Sequence, residues 1–339
     1  MDEFGLGYNF LNPDEQTAYQ ILYDALVQHR TSCDISRVKR GVDISKVMST
    51  VMGDNPEIIY INKTLLRTMS GIFVKQLSFT GCIPQSQIKK KEQQLESAVN
   101  DAVWEIDKTA HNDKEILQGI SEYLQRNVVY DYDEYASYMR RNAKAKFPDA
   151  HNAYGALVNH KAVCDGFSSA YAIIAKSFGF KCMLAEGKSS FENNGKVDHA
   201  WNIVEYEKQF YHIDSTWDAN AYAVSNKYSY VYFGLDDDEI LLDHDWDYHY
   251  TPICKGNKLS YYWSNGLVVQ SESQIETIIK REFKKGKSEV RIRISGRINI
   301  DGSKYWTDKL PQIMSSAGIY KAFKYMWNEH ARCLIIYLN

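Results

Sequence analysis

The chain has 339 residues, 44% of them hydrophobic, and sets 40 Lys and Arg against 43 Asp and Glu for a formal net charge of −3. That balance excludes a disordered tail, a fibrous repeat and a strong long-range pull on nucleic acid or anionic lipid. No apolar run approaches the roughly 18 residues of a membrane helix, so no transmembrane segment is expected. The start, Met1-Asp-Glu-Phe-Gly5, lacks a basic stretch followed by an apolar one. A cytoplasmic location is expected if Met1 is the native start, and a secreted or cell-surface one if a signal peptide has been removed. Six cysteines, Cys33, Cys82, Cys164, Cys182, Cys254 and Cys333, are scattered without a C-x-x-C pair. Neither a disulfide framework nor a zinc cluster is expected, and each thiol is judged singly.

In chain order, Asn12-Pro13-Asp14-Glu15 reads as a cap, a first-turn proline and a capping-box glutamate ahead of Ala18, Ile21, Leu22, Ala25 and Leu26. A helix therefore begins near residue 12. Ile44, Val47, Met48 and Val51 suggest a short helix, broken by Asp54-Asn-Pro-Glu57 before strand-like Ile58–Ile61 and a second strand near 72–79. Residues 87–107 and 113–128 read as amphipathic helices, and Lys89-Lys90-Lys91 as a solvated helix start. Residues 130–150 lack periodicity and read as irregular. Beyond 255 the pattern becomes strand 266–270, helix 275–283, strand 290–294, helix 306–317 and strands 319–327 and 332–338, a small α+β appendage.

Chemistry concentrates between these regions. Cys164 opens an apolar-periodic helix carrying Phe167, Ala170, Tyr171, Ile174 and Phe178, closed by Gly179. At a helix N-terminus, free N–H groups and the dipole favour the nucleophilic thiolate. Downstream, His199–Val204 and Phe210–Asp214 read as two strands of a hairpin. A two-residue turn at 206/207 or 207/208 sets His199 opposite Asp214 or one diagonal step away, on a shared face in both registers. A carboxylate beside an imidazole fixes its tautomer and stabilises the imidazolium. Nucleophile, base and orienting acid in this order suit thiol acyl transfer: Cys164, His199 and Asp214.

The stretches Tyr154-Gly-Ala-Leu-Val158, Lys161-Ala-Val-Cys-Asp-Gly-Phe167, His199-Ala-Trp-Asn-Ile-Val204 and Tyr211-His-Ile-Asp-Ser-Thr-Trp-Asp218 resemble the core of the transglutaminase-like superfamily, bacterial members above all. Asp54-Asn-Pro-Glu57, Val128-Val-Tyr-Asp131, Tyr232-Phe-Gly-Leu-Asp236 and His244 extend the resemblance, which is strong over about 150–250 and absent beyond 255. It implies a papain-like fold with a cysteine-bearing helix packed on an antiparallel sheet that carries the histidine and aspartate. It assigns Cys164 as nucleophile, His199 as general base and acid, and Asp214 as orienting carboxylate. The expected organisation is an N-terminal α/β region (1–110), a catalytic core (111–254) and an α+β appendage (255–339).

The oxyanion would take the Cys164 N–H and a second donor, for which Tyr154 and Asn159 are candidates. Trp201 and Trp217 are expected to wall the site against water. The sequence departs from the family at Asn159-His160-Lys161 and at Glu207-Lys208, where glycine is usual. Gly187-Lys-Ser-Ser190 lacks the preceding glycine of a phosphate loop, since residue 182 is Cys. Asp243–Asp247 lacks the glycine and glutamate of a calcium loop, and His244 with His249 makes a poor zinc pair. His212 is read as packing beside the site.

No metal or cofactor is expected, and the partner expected is a peptide or protein substrate. Two functions remain: a cysteine peptidase, deamidase or transglutaminase working through a thioester, and a catalytically silent binding or scaffold protein.

Overall fold

The computed structural model describes residues 4–70, 73–81, 83–139, 148–190, 195–296, 298, 300 and 302–338. The N-terminal region starts with α1 (Pro13–Val27), β1 (Ser32–Asp34) and α2 (Ile44–Asp54), followed by the hairpin β2 (Ile61–Ser70) and β3 (Phe73–Gly81). The capping box forms as the sequence implies: Asn12 accepts from the Asp14 and Glu15 N–H groups, and Glu15 accepts from the Asn12 N–H. The expected strand at 58–61 is corrected. Only Ile61 is strand, and the strand runs on to Ser70. Ile58, Ile59 and Tyr60 are all buried, and a run buried on every side carries no alternation from which a strand can be told from a packed turn.

The central region comprises α3 (Gln85–Asp107), α4 (Asp113–Asn127), β4 (Val129–Tyr130), α5 (Tyr132–Met139), α6 (Ala153–Leu157), β5 (Lys161–Ala162) and α7 (Cys164–Ser177). It continues through β6 (Cys182–Ser190), β7 (Lys196–Tyr206), β8 (Gln209–Ile213), α8 (Ser215–Ser225), β9 (Phe233–Leu235), α9 (Asp237–Ile240) and β10 (His244–Trp246). α5 lies in the stretch expected to be irregular, where Asp131 caps it by accepting from the Glu134 N–H at 3.0 Å. Its tyrosines and acids hide the helical period. Lys91 also departs from expectation: its Nζ lies 2.5 Å from Asp149 and over the Tyr154 ring, while Lys89 and Lys90 are exposed.

The buried face of α7, with Phe167, Ala170, Tyr171 and Ile174, meets Leu95, Val99 and Ile106 of α3, Leu117, Ile120 and Leu124 of α4, and Tyr211 and Ile213 of β8 in one cluster. α3 thus shares the core of α7 across the expected boundary at 110. Truncating a side chain as enclosed as Phe167 to alanine costs about 3–5 kcal/mol. On α7's sheet side, Ser168 donates to the Ala200 carbonyl at 3.0 Å and Asn202 donates to the Ser168 carbonyl at 3.0 Å, pinning the helix to β7.

That sheet is five-stranded and antiparallel, in the order β10-β6-β7-β8-β9. The β7–β8 turn is Glu207-Lys208 with φ of 49° and 61°, the doubly left-handed geometry of a type I′ hairpin built without glycine. It sets Asn202 opposite Ile213, so His199 lies a diagonal step from Asp214. Gly187, opposite His199 on β6, has no room for a Cβ, which would fall 2.1 Å from the Asp245 carbonyl oxygen. That close approach seats β10 against the sheet.

The C-terminal region holds α10 (Tyr261–Ser264), β11 (Val268–Val269), α11 (Glu272–Lys284), β12 (Glu289–Ile294), α12 (Gly302–Ser316), β13 (Phe323–Asn328) and β14 (Cys333–Leu338), with sheet order β11-β12-β14-β13. Its core takes in Val231, Tyr232, Leu235 and Ile240 of the central region. Among the described residues, no helix is long and apolar enough to cross a membrane.

Candidate functional site

Val163 is extended (φ −98°, ψ −175°), so the chain enters α7 abruptly and Cys164 is its first residue. First-turn N–H groups have no carbonyl a turn back to bind, and the positive end of the helix dipole lies at the sulfur. Cys164 is partly exposed, whereas Cys33, Cys182, Cys254 and Cys333 are buried. Cys82 falls outside the described residues. Burial pushes Cys33 up to about 11 and Cys182 up to about 12, and it raises Cys254 and Cys333 as well.

His199 and Asp214 meet as the hairpin geometry implies, with Nε2 of His199 2.7 Å from Oδ2 of Asp214. Asp214 is fully enclosed and also caps α8, its Oδ1 accepting from the N–H groups of Thr216 at 2.9 Å and Trp217 at 3.2 Å. The Asp214 Oδ2 is shared with Nε2 of His244 at 3.2 Å. Nδ1 of His244 lies 2.5 Å from Asp243, which accepts from the Tyr232 hydroxyl at 2.7 Å.

Burial alone would strip His199 of its charge, but the Asp214 carboxylate, assisted by a hydrogen bond to Cys164, raises its pKa to about 9. Burial likewise opposes the Asp214 charge, and the two histidines override it, holding the carboxyl well below the usual range. The geometry is that of an imidazole bonded on one side to a thiol and on the other to a fixed carboxylate.

Residues 100–215 match the transglutaminase-like superfamily. Over that third of the chain the sequence is similar to a transglutaminase-like core. It is 26% identical over 148 residues to mouse kyphoscoliosis peptidase, covering 41% of this chain and 21% of that protein. The human kyphoscoliosis peptidase matches at 26% over 146 residues, with 40% and 21% coverage. The chain thus spans about a fifth of the length of these curated relatives. A crystal structure of a TGase aligns with a TM-score of 0.33 at 17% identity, covering 45% of this chain and 43% of the other. The fold is α+β, the cysteine helix lying on the antiparallel sheet.

Beside His199, the chain has a cavity of about 80 Å³ lined by Tyr130, Tyr132, Tyr135, Val197 and Asn220, among others. Trp217 is among the residues lining this cavity. Trp201 does not line this cavity: fully enclosed, it stacks behind His199 with ring centroids 6.0 Å apart. Tyr154 is placed elsewhere, its hydroxyl donating to Gln94 at 3.0 Å, and Asn159 is exposed at the end of α6. Neither supports a role as oxyanion donor.

Tyr130 is the residue that the sequence reading passed over. It lies within the electrostatic reach of Cys164, and burial followed by that neighbouring sulfur raises its pKa, so its hydroxyl keeps its proton. The signal was present in Val128-Val-Tyr-Asp131, but nothing in its spacing marked the tyrosine.

A second Cys–His–Asp group sits further along the same sheet face. His212 Nε2 lies 2.9 Å from Asp237, its Nδ1 accepts from the Trp201 indole at 3.0 Å, and Cys254 is within ligand distance of both. With Nδ1 accepting, Nε2 must carry the proton, so neither nitrogen has a lone pair free for a metal. Similarly, His199, Asp214 and His244 satisfy one another as donors and acceptors. Asp243, Asp245 and Asp247 diverge to His244, Lys196 and His249, and His249 is exposed, away from buried His244. Gly187–Ser190 is strand, with no helix after it to receive a phosphate.

Proposed function

We propose that this chain is a thiol-dependent acyl-transfer enzyme acting on amide groups of peptides or proteins, with Cys164 as nucleophile, His199 as base and acid, and Asp214 as orienting carboxylate. The observation that carries the reading is the 2.7 Å His199–Asp214 contact on the far side of an imidazole whose other side faces a helix-opening cysteine. The Cys164 sulfur, its proton passed to His199, attacks the amide carbon. The oxyanion is met by the Cys164 N–H and the Tyr130 hydroxyl. His199 returns the proton to the leaving nitrogen as the C–N bond breaks, giving a thioester and a free amine. Water or a second amine, deprotonated by His199, then displaces the sulfur.

Hydrolysis is the favoured outcome, because water at about 55 M competes with a dilute amine unless the amine is held in place. The peptidase name of the mammalian relatives agrees with that preference. The test is a library of glutamine- and amide-bearing peptides with and without a labelled primary amine, read by mass. Hydrolysed product dominating at millimolar amine supports the reading, and dominant amine incorporation makes the enzyme a transglutaminase. With Cys164 intact, no product of either kind favours the scaffold role.

A further inference from the structure

The reaction written above makes no use of His244, although its ring lies 5.4 Å from that of His199 and both bond the same oxygen of Asp214. Both nitrogens of His244 face carboxylate oxygens, Asp243 at 2.5 Å and Asp214 at 3.2 Å. A neutral imidazole has one N–H and one lone pair, and a lone pair aimed at a carboxylate oxygen in a dry site is repulsive. Either His244 carries two protons or one of the acids is protonated.

Asp214 has no room for a proton, and the place left for one on Asp243 is Oδ1, inside the 2.5 Å bridge to Nδ1 of His244. Asp214 accepts from two backbone N–H groups and from His199, and Asp243 accepts from the Tyr232 hydroxyl. We propose that His244 is a positioning residue held as a doubly protonated imidazolium, which fixes the Asp214 carboxylate and keeps His199 from binding its own proton too tightly. The claim about His244 stands on its own contacts, and only its effect on turnover rests on the proposed reaction.

The sign of the effect follows from the neighbours. His199 faces Cys164 from α7, Asp214 from the start of α8 and His244 from β10, with Asp243, buried Asp218 and the tyrosines 130 and 232 beyond. His212, on the other side of Trp201, is neutral. Replacing His244 by glutamine keeps a donor for Asp214 but removes a positive charge near His199 and leaves Asp243 uncompensated. Both changes make His199 hold its proton more tightly.

In the full-length protein, Cys164 alkylation by iodoacetate and by iodoacetamide is measured from pH 6 to 10.5. The anionic reagent is favoured while His199 is charged, so the ratio of the two rates falls as His199 loses its proton. His244→Gln is expected to move that fall upward by about one pH unit, tenfold in proton affinity. An unchanged or lower midpoint overturns the proposal, and a change in thermal stability alone marks His244 as merely structural.

Nitrogen NMR of histidine-labelled wild-type protein decides the charge state even if the variant does not fold. Both His244 nitrogens should be protonated at pH 7, and one bare nitrogen overturns the proposal. Failure of Cys164 to react with either reagent would count against the acyl-transfer reading, while the NMR result would still decide His244.

Discussion

Trp201 stands between two histidines whose surroundings look alike in composition and act in opposite senses. On one side, His199 has Asp214 and Cys164; on the other, His212 has Asp237 and Cys254. His199 holds a proton up to about 9, whereas burial lowers His212 despite its carboxylate. The difference lies in the second nitrogen. In His212 it accepts the Trp201 indole N–H, which fixes a neutral ring, and in His199 it faces the Cys164 sulfur. The sulfurs differ in the same way: Cys164 opens a helix, whereas Cys254 is buried beside Asp237, which with burial raises its pKa. A thiol, an imidazole and a carboxylate within reach of one another make a nucleophile only where the last proton is free to move.

The largest expected effect separates the two sets directly. Cys164→Ser should lower turnover by about 10⁴-fold or more, and Cys254→Ser should leave it within about twofold; comparable losses in kcat/KM would erase the distinction. Next, His199→Ala should slow alkylation of Cys164 more at pH 6.5 than at pH 9, since it removes the cation beside the thiolate. His212→Ala should leave those rates unchanged and instead destabilise the fold by about 1–3 kcal/mol, orphaning the Trp201 N–H and taking the partner of Asp237 Oδ1, as chemical denaturation would show.

The pH dependence of stability sharpens the contrast. His199, His244 and His151, the last bridging Glu134 and Asp165, are raised to about 9, while an unfolded histidine titrates near 6.5. The native state therefore keeps protons that the unfolded chain releases, and this stability is full below pH 6.5 and lost as the pH climbs to about 9. His212, lowered, contributes with the opposite sign, losing stability as the medium becomes acidic. Buried Asp218, raised to about 7, acts in the same direction as the three raised histidines, its stability being lost as the pH rises from about 4 to 7. Calorimetry should show the unfolding temperature dropping by roughly 5 °C or more between pH 6.5 and 9.5, and a rise would contradict the charged histidines. The smallest effect is in the hairpin carrying both histidines, where Lys208→Gly should stabilise by about 0.5–1 kcal/mol by relieving a left-handed side chain.

The Cys164–His199–Asp214 constellation was legible because each member sits on a local signal: a helix start, strand alternation and a short turn. The helical period of α7 and the α3–α4 pair were equally plain. What escaped depends on distant packing. Tyr130 comes within electrostatic reach of Cys164 through the parallel pairing of β4 with β5, just ahead of the cysteine. Tyr154 was drawn away by Gln94 and Lys91 on α3, and His244 joined Asp214 because β10 pairs with β6 over Gly187. α5 was missed because a cap at Asp131 outweighed a weak apolar period.

The packing of the C-terminal region has a consequence for any attempt to shorten this protein. Tyr232 lends its hydroxyl to Asp243 and its ring to the C-terminal core, and Trp217, which walls the cavity, rests on the same core. Buried Arg293 fastens the two together through the Val231 carbonyl and Glu239. A stop codon or a protease cut after residue 254 would spare Cys164, His199 and Asp214 and yet bare the underside of Trp217 and Tyr232 to water. A chain that keeps the site in shape extends through β14, well beyond Asp214.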